Sequence, residues 1–333
     1  MPLRGDSIQA DLAARDLTVN ALALDSAGRL YLHPQALGDL QGKILRPASP
    51  AAFASDPLRI FRLARFAACW PHWEVSAEAI RQIQATSPAA LAALPPERVG
   101  RELLKALDSP QPGRFFRVLA QGNALTPWFQ ELVTADTIPA GPRPWHQNSV
   151  LGHSLRIMDC VAGDGMAVWM ALCHDLGKIL TDPAILPHHY GHEQRGIAVA
   201  TGMARRLGLS ARHRKAAVLA CAEHMKAGMY ANLRPGTRRD LLWRVHHSGL
   251  GPSFWRLADA DSGKPVSKLA ARDLAAILPV RLPQALRGLG KASGEHLRQL
   301  HCRALAEAAQ TRKAAAEEAQ SPNAAESPAS APS

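Results

Sequence analysis

From Asp56 onward, apolar residues recur at three- and four-residue spacing, a period that commits most of this chain to α-helix. Leu58, Phe61, Leu63, Phe66 and Ala67 set the pattern. Ser55 or Asp56 stands as N-cap, and Pro57 falls in the first turn, where proline is tolerated. Further helices are predicted over 76–86, from Pro96 through Leu107, and over 113–121. Pro127 and the three prolines within 138–144 mark a boundary. A second helical set follows over 150–161, 166–176, 193–207, 211–225, 238–247 and 252–261, with a helix or two past Ala270. Residues 1–47 read differently, as one short helix after Ser7 with apolar positions Ile8, Leu12, Leu17 and Val19–Leu24, a turn at 25–28 and strand-like pieces at 29–32 and 42–45. From about Arg312 the chain turns to Ala, Glu, Ser and Pro, a composition that predicts a disordered tail over 312–333.

Charge narrows the choice of partner. Lys and Arg number 39 against 28 Asp and Glu, a net of +11 over 333 residues. A basic globular chain suits a polyanion, because phosphate attraction and counterion release supply affinity without sequence reading. Apolar residues at 47% exclude a wholly disordered chain. No apolar run approaches the ~18 residues of a membrane span, and the N-terminus lacks the apolar core of a signal peptide. Cys69, Cys160, Cys173, Cys221 and Cys302 are scattered and never form C-x-x-C, which fits a reducing compartment. The expectation is a soluble cytoplasmic protein with no membrane partner.

The sharpest local signal is the run from Ala171 to Lys178, A-L-C-H-D-L-G-K. Burying His174 beside Asp175 is costly unless something compensates. A divalent metal does so, since imidazole nitrogen and carboxylate oxygen both ligate first-row metals. His153 lies on the preceding helix and Asp261 ends a later one, with Asp259 as its near alternative. The structural alternative for the doublet is a capped helix end.

His153, His174-Asp175 and Asp261 together resemble the H…HD…D signature of the HD-domain metal-dependent phosphohydrolases. V-L-G-H-S-L-R-I-M-D around His153 and H-H-Y-G-H-E at 188–193 strengthen the likeness, which covers 145–265. It implies an all-helical domain that holds Mn²⁺, Ni²⁺ or Mg²⁺ on His153, His174, Asp175 and Asp261, with His174 and Asp175 as the catalytic pair. His188, His189, His192 and His224 fall where some members place extra metal or phosphate ligands.

The other end carries a second likeness. The stretch from Asp11 to Leu22, D-L-A-A-R-D-L-T-V-N-A-L, resembles the R-D-x-T-x-N-A-L motif of class II tRNA nucleotidyltransferases and bacterial poly(A) polymerases. G-D-L-Q-G-K-I-L-R at 38–46, S-D-P-L-R-I-F-R at 55–62 and P-E-R-V-G-R-E-L-L-K at 96–105 resemble the motifs that follow it in that family. The likeness implies a mainly α fold: a partial α+β nucleotidyltransferase head over 1–50, a nucleotide- and RNA-binding neck over 51–140, the HD domain, and C-terminal helices over 266–311. It implies tRNA or other RNA and the nucleotides ATP and CTP as partners, and Mg²⁺ for nucleotidyl transfer. Asp56 and Arg59 would face the Watson–Crick edge of the incoming base. Arg15, Arg59 and Arg62 would hold base and triphosphate, and Asp16 and Asn20 would contact the ribose or order the loop. Ser55 stands where the family usually has Glu, which predicts a less firmly oriented Arg59.

Nucleotidyl transfer in that family also uses a strand with Asp-x-Asp, introduced by Gly-Gly or Gly-Ser, that binds two Mg²⁺ ions. None of the 24 glycines here is followed by Gly or Ser, and the one Asp-x-Asp is Asp259-Ala-Asp261. The expectation is an in-frame extension upstream of Met1 that carries these motifs. Three readings stand: a CCA-adding type tRNA nucleotidyltransferase with an HD domain; an HD phosphohydrolase (phosphatase or cyclic phosphodiesterase) with an RNA-binding neck; and a non-catalytic RNA-binding remnant.

Overall fold

The computed structural model describes residues 7–144 and 147–320. Among these the fold is mainly α, as the apolar spacing predicts. Two compact units form: one is built on the residues up to Gly228 with Leu250–Lys264, the other on Met229–Gly249 and the residues from Pro265 on.

The head begins with helix Ile8–Ala13, whose first turn is capped by Ser7 Oγ accepting from the Ala10 amide at 3.2 Å. Strands Leu22–Leu24 and Leu30–Leu32 pair antiparallel in the register Leu22↔Leu32 and Leu24↔Leu30. Asp25 sets the turn between them by accepting from the Ala27 and Arg29 amides, and Gly28 supplies the positive φ of 79°. Leu12, Ala21 and Ala48 make only a small apolar cluster. A short parallel pairing, Ile44–Leu45 with Glu74–Val75, ties the head to the helices beyond. Helix Ala36–Gly42 was not predicted: its two glycines lower its propensity, and tertiary bonds fix it instead, with Asp39 accepting from Thr18 Oγ1 at 2.7 Å and pairing with Arg46 at 3.0 Å.

Helix Leu58–Cys69 packs on Pro96–Leu107 and Gly113–Gln121. Phe61, Phe115, Phe116 and Phe129 fill the space between them and are fully buried, each such ring contributing about 1.5–3 kcal/mol. Phe115–Phe116 and Phe116–Phe129 meet edge to face at 5.0 and 5.2 Å. The short helices Pro88–Ala92 and Gln130–Thr137 escape the periodic reading because neither is long enough to show a period.

Beyond 144 the helices Val150–Cys160, Gly165–Cys173, His192–Arg206, Ala211–Gly228 and Gly251–Ser262 surround one another. Gly165–Cys173 is apolar on every face and buried from Ala167 to Cys173, as a central helix must be. Asp164 caps it, accepting from the Met166 and Ala167 amides and from Ser253 Oγ. The proline-rich stretch 138–144 does not separate two units. Asp159 accepts from the Gly113 amide at 2.8 Å and pairs with Arg117 at 2.7 Å, and Arg206 donates to the Trp128 carbonyl at 3.1 Å. Polar groups on either side of the stretch thus satisfy each other.

The second unit joins Pro235–Ser248 to Val266–Ile277 and Lys291–Gln320. Fully buried Asp273 organises it, accepting from Tyr230 Oη at 3.0 Å and pairing with Arg238 at 3.2 Å and Arg312 at 2.9 Å. Residues 229–249, expected inside the 145–265 domain, therefore group with the C-terminal helices. The last helix also runs nine residues into the expected 312–333 tail, because alanine and glutamate are good helix formers and Arg312 is anchored on Asp273. The rest of that expectation, 321–333, lies outside the described residues. No helix among the described residues is long and apolar enough to cross a membrane.

Candidate functional site

Two cavities collect the residues that the sequence singles out. The first, about 380 Å³, is lined by Arg15, Asp16, Asn20, Asp56, Arg59 and Arg62. All six expected nucleotide-binding residues thus meet, although they come from the head, from Asp56 in the link between two helices and from helix Leu58–Cys69. Arg62 Nε pairs with Asp16 Oδ2 at 2.6 Å. Arg15 pairs with Asp11 at 2.9 Å and donates to the carbonyls of Asn20 and Leu22. Asp56 accepts from the Leu58 amide and pairs with Arg98 at 3.4 Å.

Arg59 is buried, and its orientation is over-determined despite the serine before Asp56. It donates to the carbonyls of Ala14, Arg15 and Ala52 and to Ser55 Oγ at 3.2 Å. Backbone oxygens do most of the orienting, which sequence cannot display. Asp11 and Arg98 also line this cavity without having been singled out. Both lie inside quoted motif stretches, which was the available signal.

The second cavity, about 420 Å³, holds the histidine–aspartate cluster. Asp175 is its centre. His174 Nε2 stands 3.2 Å and His153 Nε2 3.7 Å from Asp175 Oδ2. Asp261 Oδ1 closes this group at 3.0 Å from His153 Nε2 and 3.6 Å from His174 Nε2. On the other carboxylate oxygen, His192 Nε2 and His224 Nε2 each stand 3.3 Å from Asp175 Oδ1 and 3.2 Å from each other. The four expected metal residues therefore come together, with Asp261 rather than Asp259. His192 and His224 form a second trio through Asp175. His188 and His189 join neither trio.

The helices make this possible. Gly177 and Gly196 let the turn after Asp175 lie against helix His192–Arg206, where a β-carbon on Gly177 would collide with the His192 carbonyl. Three imidazoles are fixed through Nδ1, which must carry the proton because its partner is a carbonyl. His174 donates to Ala171 at 2.8 Å, His192 to His189 at 2.7 Å and His224 to Ala220 at 3.0 Å. Their Nε2 atoms are the ones that face Asp175, in the arrangement that orients metal-ligating histidines.

Asp175 Oδ1 is buried and accepts no hydrogen bond among the described residues. That orphaned oxygen between two imidazole nitrogens fits a divalent cation, and so does the mixed nitrogen and carboxylate donor set. Burial opposes a charge on His174, but Asp175 and Asp261 outweigh it and hold the His174 pKa at about 10. Burial pushes the Asp175 carboxyl up, yet His174 and Lys178 together hold it well below the usual range. Lys178 Nζ lies 2.8 Å from Asp175 Oδ2 and donates to the Ala140 carbonyl.

Residues 74–135 match the family described as "Probable RNA and SrmB-binding site of polymerase A". The chain is 37% identical over 246 residues to a Multifunctional CCA protein of Acinetobacter baumannii, which covers 72% of this chain. Over that stretch it is similar to the class II tRNA nucleotidyltransferases. The chain spans 58% of the length of the curated relatives of this family that it matches. In fold it is similar to a CCA-adding enzyme from Bacillus stearothermophilus in complex with CTP, with a TM-score of 0.57 and 19% identity over 92% of this chain and 76% of that one. A CCA-adding enzyme in complex with ATP gives 0.60 and 17% over 93% and 73%.

Proposed function

We propose that this chain serves tRNA 3′-end synthesis, with a nucleotide-selecting pocket between head and neck and a separate metal-dependent phosphohydrolase site among the later helices. The observation that carries the second site is Asp175, whose two oxygens each face two imidazole nitrogens. His153, His174, Asp175 and Asp261 would hold one divalent ion, and Asp175, His192 and His224 a second. Such ions, as Mn²⁺, Ni²⁺ or Mg²⁺, supply Lewis acidity to a phosphoester and lower the pKa of water. The chain's own residues do the rest. Carbonyl partners on Nδ1 keep three imidazoles in the ligating tautomer. Lys178 offsets the Asp175 charge in a buried setting.

In the first pocket, Arg59 on helix Leu58–Cys69 offers guanidinium donors and Asp56, two residues ahead of that helix, an acceptor, which together can imitate a base-pairing edge of CTP or ATP. Arg15 and Arg62 supply positive charge for phosphate oxygens. The RNA partner rests on the net charge of +11 and on the family match over 74–135. The test of the phosphohydrolase reading is hydrolysis of 2′,3′-cyclic nucleotides and phosphomonoesters with Mn²⁺, Ni²⁺ or Mg²⁺ added. Wild type should turn them over and His174→Ala should not; equal rates in both would overturn the reading.

A further inference from the structure

Tyr190 is 74% exposed. A lone exposed aromatic needs no explanation, but this one has three further attributes. Tyr190 lines the same cavity as His153, Asp175, His192 and Asp261. It stacks on His188, with ring centroids 5.8 Å apart and planes 8° from parallel. The loop beneath it is braced. His189 Nε2 donates to the Pro139 carbonyl at 2.8 Å, so its Nδ1 accepts from Thr181 Oγ1, also at 2.8 Å. Arg195 donates to the Tyr190 carbonyl at 2.9 Å and to the Leu180 carbonyl at 3.1 Å.

A ring held in water on a braced loop loses little freedom when a flat partner settles on it. Pro142, Pro187 and Met225 extend the apolar lining of the cavity beside it. The same cavity therefore offers the carboxylates of Asp175 and Asp261 and several imidazoles together with a braced aromatic residue.

We propose that Tyr190, backed by His188, is a stacking shelf for a heteroaromatic base, so that the phosphohydrolase site prefers phosphoesters that carry a nucleobase. This rests on the phosphohydrolase reading above. The 5.8 Å spacing is too narrow for a base between the two rings, which would need two gaps of about 3.5 Å. The base therefore takes the outer face of Tyr190. Stacking of this kind tolerates any base, because each presents a π-face. Tyr190 is a specificity-determining residue in this account; it makes no bond to the reacting phosphorus.

The test compares adenosine 2′,3′-cyclic phosphate with its base-free analogue, methyl riboside 2′,3′-cyclic phosphate, on the full chain with Mn²⁺. Wild type should favour the nucleotide in kcat/KM. Tyr190→Ala should reduce that preference roughly ten-fold, the size of one base stack, through KM rather than kcat. Tyr190→Phe should retain it. A second arm measures binding of AMP and ribose 5-phosphate to the metal-free Arg59→Ala protein, in which the first pocket is disabled, and there Tyr190→Ala should weaken AMP alone by a similar factor. An unchanged preference in Tyr190→Ala, in either arm, overturns the shelf. If wild type hydrolyses neither ester, the phosphohydrolase reading fails, and the binding arm still decides the shelf.

Discussion

Gly177 packs so closely beneath His192 that a β-carbon on Gly177 would collide with the His192 carbonyl oxygen and lie 2.6 Å from the Gly196 amide nitrogen. The glycine of the A-L-C-H-D-L-G-K run thus sets the distance between Asp175 and the helix that carries His192. Gly177→Ala must push that helix outward. Overpacking of this kind costs about 1–3 kcal/mol. The variant should melt at lower temperature and lose one bound divalent ion while keeping the other. Unchanged melting and metal content would contradict the assigned packing.

Arg59 is held by three backbone carbonyls as well as by Ser55 Oγ. Ser55→Ala removes a single hydrogen bond of about 0.5–1.5 kcal/mol, so equilibrium binding of CTP or ATP should weaken less than roughly ten-fold. Arg59→Ala should weaken it by more than that, because the forked donor itself is gone. If Ser55→Ala proves as damaging as Arg59→Ala, the serine and not the carbonyls orients the arginine.

The sequence made the helical body legible because its apolar spacing is regular. The boundaries of 150–161 and 211–225 fall within a few residues of helices Val150–Cys160 and Ala211–Gly228. What escaped was fixed by long-range bonds. Helix Ala36–Gly42 depends on Thr18 and Arg46, and the grouping of 229–249 depends on Asp273, which lies beyond the expected domain edge. The histidine–aspartate cluster was half legible. His153, His174, Asp175 and Asp261 stood out by residue type and motif, whereas the choice of His192 and His224 over His188 and His189 needs their positions in space. Within H-H-Y-G-H-E, His189 turns to Thr181 and Pro139 while His192 turns to Asp175. No spacing rule separates them.

The RNA reading predicts a salt dependence. With a net charge of +11, binding to tRNA should weaken steeply as salt rises, each neutralised phosphate adding about 0.7–0.9 to the logarithmic slope. A filter-binding or anisotropy series between low and physiological salt measures it. Binding that ignores salt, or no binding at low salt, would count against RNA as a partner.

The most direct test is metal content. Elemental analysis of the purified full chain should find two divalent ions per molecule, one on each side of Asp175. Asp175→Asn, which keeps the shape and removes the charge, should lose both, and His224→Ala should lose one. The same metal content in wild type and in Asp175→Asn would contradict the account, because Asp175 is the residue that both trios share among the described residues.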